Sequence, residues 1–231
     1  VAHYYNAAAT WGREVGITYK REDLPDGVGI RDLERGRMAT LTDYPWLNDD
    51  SIDWGSWCDV ESPDYKSADR LVDGLVDIVS KNGQLLLNIT PRANGTIPEP
   101  VQERLLEMGR WLELNGEAIY GTRPWVTFGE GPTEVKEGSF GEHHIKDFTA
   151  QDIRFTTGKD GTLYAIALGW PENGRLVVTT FSRPELAVKV RAVRLLGHPG
   201  NLPWKQTAKG LEIELPDQRP CDHAWVFRIE R

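Results

Sequence analysis

Over 231 residues the chain sets 27 Lys and Arg against 35 Asp and Glu, a formal net charge of −8 at pH 7 that argues against a general binder of nucleic acid or anionic membrane and suits a neutral substrate better. It holds no run of about 18 apolar residues, so no segment is expected to insert into a membrane as a helix. Two cysteines, Cys58 and Cys221, are too few and too far apart for a disulfide scaffold or a thiolate metal site, and they read as small buried or half-buried residues.

In chain order, VAHYYNAAATWGR at 1–13 reads as the end of a helix closed by Gly12. A chain that starts inside an element, with no basic-then-apolar leader, is expected to be a fragment. Residues 14–19 read as a short buried strand that delivers Lys20, Arg21, Glu22 and Asp23 to its C-terminal end, the end that carries chemistry in parallel α/β folds. A turn-rich LPDGVG follows, then IRDLERGR, which brings Arg31, Asp32, Glu34, Arg35 and Arg37 together. Such a cluster is commonly a solvated, self-paired surface. Its position after a strand also suits a carboxylate set for proton transfer beside arginines that orient it. Residues 44–65 hold Trp46, Trp54 and Trp57 in a stretch read as a loop, too polar for a core strand, and at least one of these rings is expected to face ligand.

From Ser67 a helix is expected, with a Ser cap, an acidic first turn, and apolar Leu71, Leu75, Ile78 and Val79. It leads into a strand at Leu85–Ile89 whose apolar run does not alternate, so both of its faces are expected to be buried. A loop and a second helix follow, starting near Pro98–Pro100 and stopping at Gly116, with Val101, Leu105, Met108 and Leu112 as its covering stripe. Residues 14–120 thus have the spacing of the last part of a (β/α)8 barrel, a fold that needs about 250 residues when complete.

After Pro124 the periodicity switches to short β-rich runs separated by GKDG, PENG, HPGNLP and PDQRP. The fold class is therefore α/β plus all-β. Residues 1–124 form the C-terminal portion of a barrel, and residues 125–231 form an antiparallel β-sandwich with no helix longer than two turns after residue 150. Tyr164, Trp170, Trp204 and Trp225 read as core or interdomain packing. His143 and His144 are adjacent without ligand spacing, and no GxSxG or Walker loop occurs, so neither metal nor organic cofactor is expected. Hydrolysis by carboxylates is the common chemistry left.

Several stretches together give the chain a likeness to a known family. They are HYYN at 3–6, the strand end Lys20-Arg21, RDLERGR at 31–37, PW at 45–46 with DSI at 50–52, the long DYKSADRLVDGLVDIVSKNGQLLLNITPRANGTIPEPVQERLLEMGRWLELNGEAIYGTRPW at 64–125, and FTAQDIRFTTGKDGTLYAIALGWP at 148–171. In these the chain resembles the α-L-fucosidases of glycoside hydrolase family 29. The resemblance implies a catalytic barrel followed by a β-sandwich, and a retaining exo-glycosidase acting on fucosylated oligosaccharides or glycoconjugates. It implies no cofactor, no nucleic-acid partner, and an extracellular, periplasmic or lysosomal setting, with an exported bacterial protein favoured. The family's nucleophile is an Asp on a strand that precedes HYYN, so none of these residues corresponds to it, and the chain alone is expected to hydrolyse little. Many members carry their acid/base Glu where this sequence has Leu47. Glu34 in DLERG is the nearest replacement, with Arg21 matching an arginine that contacts the sugar and Trp57 an aromatic near its C5 methyl group. Glu34 is expected to share the barrel mouth with Arg21, while at least two of Arg31, Arg35 and Arg37 turn outward or pair with other acids. The alternative from another class is a carbohydrate-binding or scaffold protein with a non-catalytic barrel remnant.

Overall fold

The computed structural model describes every residue except Glu22, Asp26 and Ala187. Helix α1 (Ala2–Thr10) ends before Gly12, whose φ of +64° lets the chain turn away without a Cβ clash. Strands β1 (Thr18–Lys20), β2 (Ile30–Asp32), β3 (Trp46–Ser51) and β4 (Gly83–Asn88) then form one parallel sheet in the order β1-β2-β3-β4. Helix α2 (Ala68–Ser80) joins β3 to β4, and α3 (Glu99–Asn115) follows β4. Ser67 caps α2 as its sequence demands, its Oγ accepting the Arg70 N–H at 3.1 Å; of the expected stripe Leu71 and Ile78 are buried and Leu75 and Val79 half-buried, with Val72 and Val76 buried beside them.

Three expectations for this half need correction. The Trp46–Ser51 segment is a strand between β2 and β4, because most of its buried polar groups find partners inside the fold. Asn48 donates to the carbonyls of Leu33 and Gly36, Lys66 donates to Asp50, and the Trp46 indole donates to the Lys81 carbonyl. Strand β4 is buried on one face only. It lies at a sheet edge with Leu85 packed on Trp46 and Ile78, while Leu86 on the other face is 58% exposed. At the opposite edge, the buried strand expected at 14–19 is instead Thr18–Lys20, with Tyr19 buried and Thr18 exposed.

The second half begins with β5 (Arg123–Glu130) and continues through β6 (Ile153–Thr157), β7 (Leu163–Ala167), β8 (Arg175–Val178), β9 (Ala192–Leu195), β10 (Trp204–Thr207), β11 (Gly210–Glu214) and β12 (Trp225–Glu230). Five of these make a sheet in the order β5-β6-β7-β12-β9 and three make another in the order β10-β11-β8, with antiparallel neighbours throughout. Alternation divides the five-stranded sheet into two apolar faces. Phe155, Leu163, Ala165 and Phe227 pack against Leu176, Val178, Leu211 and Ile213 of the smaller sheet. Tyr164, Ile166 and Val226 on the reverse face pack against Leu71, Val72, Met108 and Trp111 of the two helices. The layers are thus parallel sheet, helices, five-stranded sheet and three-stranded sheet. Among the described residues, the helices after residue 150 are single 3₁₀ turns at Thr179–Ser182 and Pro184–Leu186. Strands β5 and β10 escape sequence reading, the first because Pro124, Gly129 and a bulge interrupt it, the second because WKQT is a largely polar edge. Cys58 is exposed and Cys221 half-buried, so the expectation of burial holds for the second cysteine and not for the first, which sits in an open loop.

Charged groups tie the helical layer to the five-stranded sheet. Asp77 of α2 is fully buried and accepts from Arg154 of β6 at 2.7 Å, from Lys81 at 3.0 Å and from Arg37 at 3.4 Å. One turn earlier, Asp73 is 3% exposed and its Oδ1 has no hydrogen-bond partner. Burial, reinforced by the Asp69 charge, raises its carboxyl well above the ordinary range. The folded state therefore binds this proton more tightly than the unfolded chain, and ionisation at pH 7 costs stability. Asp73→Asn is expected to stabilise the protein on the order of 1 kcal/mol at pH 7 and to make no difference below about pH 4. Urea midpoints at the two pH values check this, and a less stable variant at pH 7 would refute it.

At the other end of α2, the His223 ring lies 3.3 Å from Asp69, and His223 takes a φ of +68° to reach it. The hydrogen bond to Asp69 raises the imidazole's proton affinity, helped by Glu107 and Asp222. The folded value lies above the unfolded one, so this stabilisation is complete below about pH 6.5 and disappears as pH rises through the raised folded value. Asp69 is 59% exposed, which keeps the expected effect below about 1 kcal/mol. In His223→Asn, whose side chain tolerates positive φ, the dependence of unfolding on pH between about 6 and 8 should flatten. An unchanged dependence would remove the pairing from consideration.

Candidate functional site

Register decides which side chains meet at the C-terminal ends of the parallel strands. Lys20 of β1 stands opposite Asp32 of β2, Asp32 opposite Leu47 of β3, and Asp49 lies two residues farther along the same face of β3. Glu34 follows β2 by two residues and returns to that face. The result is one ammonium among three carboxylates. Lys20 Nζ donates to Glu34 Oε2 at 2.7 Å and to Asp49 Oδ2 at 2.9 Å, and it lies 3.5 Å from Asp32 Oδ2. The Asp49 N–H donates to Asp32 Oδ1, which joins the two acids through the backbone.

Burial by itself would lower the Lys20 proton affinity, but its hydrogen bonds to Glu34 and Asp49 more than reverse this and raise it above the ordinary lysine value. Asp32 is pushed up by burial and then by the Asp49 charge. The other Asp49 oxygen has no hydrogen-bond partner, so the cluster keeps accepting capacity. Among the described residues, no three His, Cys, Asp or Glu side chains are arranged to hold a metal ion. The place for a cation among these acids is taken by the lysine.

Of the residues singled out from sequence, Glu34 and Arg21 line one open cleft of about 480 Å³ together with Lys20, Asp23, Ser139 and Phe140. Arg21 is exposed and leaves β1 with a φ of +53°, so it belongs to the turn beyond the strand. Trp57 lies elsewhere, half-buried beneath the Arg35 guanidinium at 4.5 Å, with Asn88 donating to its carbonyl. Trp46 is core, and Trp54 is packed between His143, Lys66 and Arg70.

Two of the three arginines are committed to acids other than Glu34. Arg35 pairs with Glu142 at 2.8 Å and donates to the carbonyls of Asp53, Trp54 and Ser56, while Arg37 pairs with Asp77. Both are buried, where a turn toward solvent was the other option. Lys66 bridges Glu142 to Asp50, which anchors the 131–152 connection behind the strand ends. Sequence reasoning missed Lys20 as the partner of Glu34, although the period of two already places it on the face opposite Tyr19 and leaves Arg21 outside the strand. Phe140 gave no signal, because it reaches the cleft from a segment more than 100 residues away.

A carboxyl at a strand end, held by an ammonium and open to a cleft, can donate and accept a proton on a bound ligand. The family model described as alpha-L-fucosidase matches residues 2–117, and the one described as alpha-L-fucosidase C-terminal domain matches residues 146–230. The chain is 34% identical over 205 residues to the plasma alpha-L-fucosidase of Homo sapiens, covering 85% of this chain and 40% of that protein. To the alpha-L-fucosidase of Branchiostoma floridae it is 32% identical, covering 85% and 41%. The crystal structure of Thermotoga maritima alpha-fucosidase in complex with fucose superposes with a TM-score of 0.73 at 29% identity, covering 99% of this chain and 47% of that one. The chain spans about two fifths of the length of the curated relatives it matches. With both models matched in their proper order and the parallel sheet followed by the β layers, the chain belongs to the alpha-L-fucosidase family.

Proposed function

We propose that this chain is part of a retaining exo-α-L-fucosidase that releases terminal α-L-fucosyl residues from glycans or glycoconjugates. In this reading residues 1–124 are the C-terminal portion of a (β/α)8 barrel and residues 125–231 its antiparallel β-sandwich. Glu34 is the acid/base, Arg21 contacts substrate from the same cleft, and Trp57 contacts it from outside that cleft, from the loop after β3. The attacking Asp has no counterpart among the 231 residues, and the chain alone is expected to be inactive. The observation that carries the reading is a lysine-paired carboxylate, Glu34, open to a cleft at the parallel strand ends in a chain matched to fucosidases over 205 residues.

A retaining mechanism needs one carboxylate to attack the anomeric carbon and a carboxylic acid to protonate the departing oxygen, about 5–5.5 Å apart. The second then takes a proton from water as water attacks the glycosyl-enzyme. Glu34 suits this alternation because Lys20 can neutralise it when ionised, and still has Asp49 as partner when Glu34 is protonated.

The test uses the longest polypeptide that contains this chain, an aryl α-L-fucoside, and proton NMR of the first sugar released. Fucose appearing first as its α-anomer supports the proposal. Release of the β-anomer first overturns retention, and cleavage of a different aryl glycoside without fucose release overturns the specificity.

A further inference from the structure

Phe140 is an unusual residue for its position. Its ring is 59% exposed and belongs to none of the three apolar cores, yet its backbone is tightly fixed. The Phe140 N–H donates to the Glu34 carbonyl at 2.8 Å. Gly138 and Arg37 exchange backbone hydrogen bonds at 3.0 and 3.2 Å, and the Glu142 N–H donates to the Arg35 carbonyl at 3.2 Å. Gly36 permits this approach, since a Cβ there would lie 1.9 Å from the Gly138 carbonyl oxygen. Phe140 itself adopts a φ of +58°, a conformation unfavourable for a bulky side chain. A glycine would relieve it. The segment therefore holds an aromatic ring in solvent, in a strained conformation, against the backbone of Glu34.

The ring also lines the same cleft as Glu34, Lys20, Arg21 and Asp23. One aromatic face among several charged donors and acceptors is the combination that receives a pyranose, with C–H groups on the ring and hydroxyls on the polar side chains. Side follows from connectivity. Lys20, Asp32 and Asp49 occupy the inner face of the sheet, whereas Phe140 comes from the 131–152 connection and meets the strand end from its rim. An acid that protonates a glycosidic oxygen stands between the two sugars it separates, so a group on its rim side faces the departing one.

We propose that Phe140 is the platform for the sugar on the leaving-group side of the scissile bond, an inference that rests on reading Glu34 as the proton donor. The ring holds the departing sugar by its apolar face and takes no part in proton transfer.

The test separates binding from turnover. Lactose serves as the probe of a hexose disaccharide and is titrated by NMR against the 231-residue chain. Phe140→Gly, which suits the positive φ, should fold with equal or greater stability and weaken lactose binding by about tenfold or more, while Phe140→Tyr should retain it. Equal binding to the wild-type chain and Phe140→Gly, or binding to neither, overturns the assignment. In the longest polypeptide containing the chain, Phe140→Gly should raise KM for a fucosylated lactose and leave α-L-fucosyl fluoride, whose leaving group has no ring, unchanged. Equal losses on both substrates would also overturn it. An error in the role of Glu34 would appear in the turnover of Glu34→Gln and would leave the lactose result unaffected.

Discussion

Replacing Asp77 by alanine is expected to cost about 3–5 kcal/mol of stability, the range for removing one partner of a buried ion pair. The carboxylate is fully buried and answers Arg154, Lys81 and Arg37, which come from β6, from the end of α2 and from the segment after β2. Without it, three cations face one another across the helix–sheet boundary. Lys81 can escape by losing its proton, since burial and the neighbouring arginines already push it down to about 8. Arg154 and Arg37 have no such exit, and their charges set the cost. Burial alone would raise the Asp77 carboxyl, but Lys81, Arg154 and Arg37 together hold it well below the usual carboxylate range. A folded value below the unfolded one means that the contribution is present above about pH 4 and lost as pH falls through the folded value. Urea unfolding at pH 7 and at about pH 2.5 should therefore show the wild type approaching the variant as the solution becomes more acid. A loss under about 1 kcal/mol at pH 7 would show that the charges are solvated, contrary to the geometry.

The same buried ions explain why the first half of the chain was only partly legible. Helix α3 announces itself by period and stop signals, because it has one apolar face and one wet face, and α2 by its Ser67 cap and apolar repeat although it is buried nearly all round. Strand β3 does not, since WLNDDS sets Asn48 and Asp50 where an apolar strand would have valines, and only the tertiary partners Leu33, Gly36 and Lys66 make those positions tolerable. Strand β4 misleads the other way. Its apolar run calls for cover on two faces, and Leu86 has none here. The β-rich half was easier to read because Leu163, Ala165 and Ala167 face one core while Tyr164 and Ile166 face another, and both sets are apolar. At the site, Glu34 and Arg21 were singled out through the family resemblance, but the Lys20 hydrogen bonds depend on strand register, and Phe140 depends on the path of a connection that carries no motif.

In the longest polypeptide that contains this chain, Glu34→Gln is expected to slow hydrolysis of fucosides with sugar leaving groups by roughly 10²-fold or more, the usual scale for general acid catalysis. A sugar alkoxide leaves slowly unless its oxygen is protonated as the bond breaks. An activated phenolate leaves without that help, so its glycosylation step should be slowed far less. The second step then becomes limiting, because water needs a base to attack the glycosyl-enzyme, and azide, which needs none, should restore turnover. The geometry favours this pattern over a structural loss. Among the described residues, the Glu34 side chain is held by one hydrogen bond, from Lys20 at 2.7 Å, and glutamine can keep that contact through its carbonyl oxygen. Lys20 also retains Asp49 at 2.9 Å, and Arg35 and Arg37 are occupied by Glu142 and Asp77, so no cation is left unpaired by the change. The strand ends should therefore keep their arrangement, and the urea midpoint of the variant should match the wild type. Equal slowing on both kinds of leaving group without azide rescue would move the acid/base role to another carboxylate. Asp49 would be the first to examine, since it shares Lys20 and has an oxygen without a partner, with Asp50 and Glu61 after it.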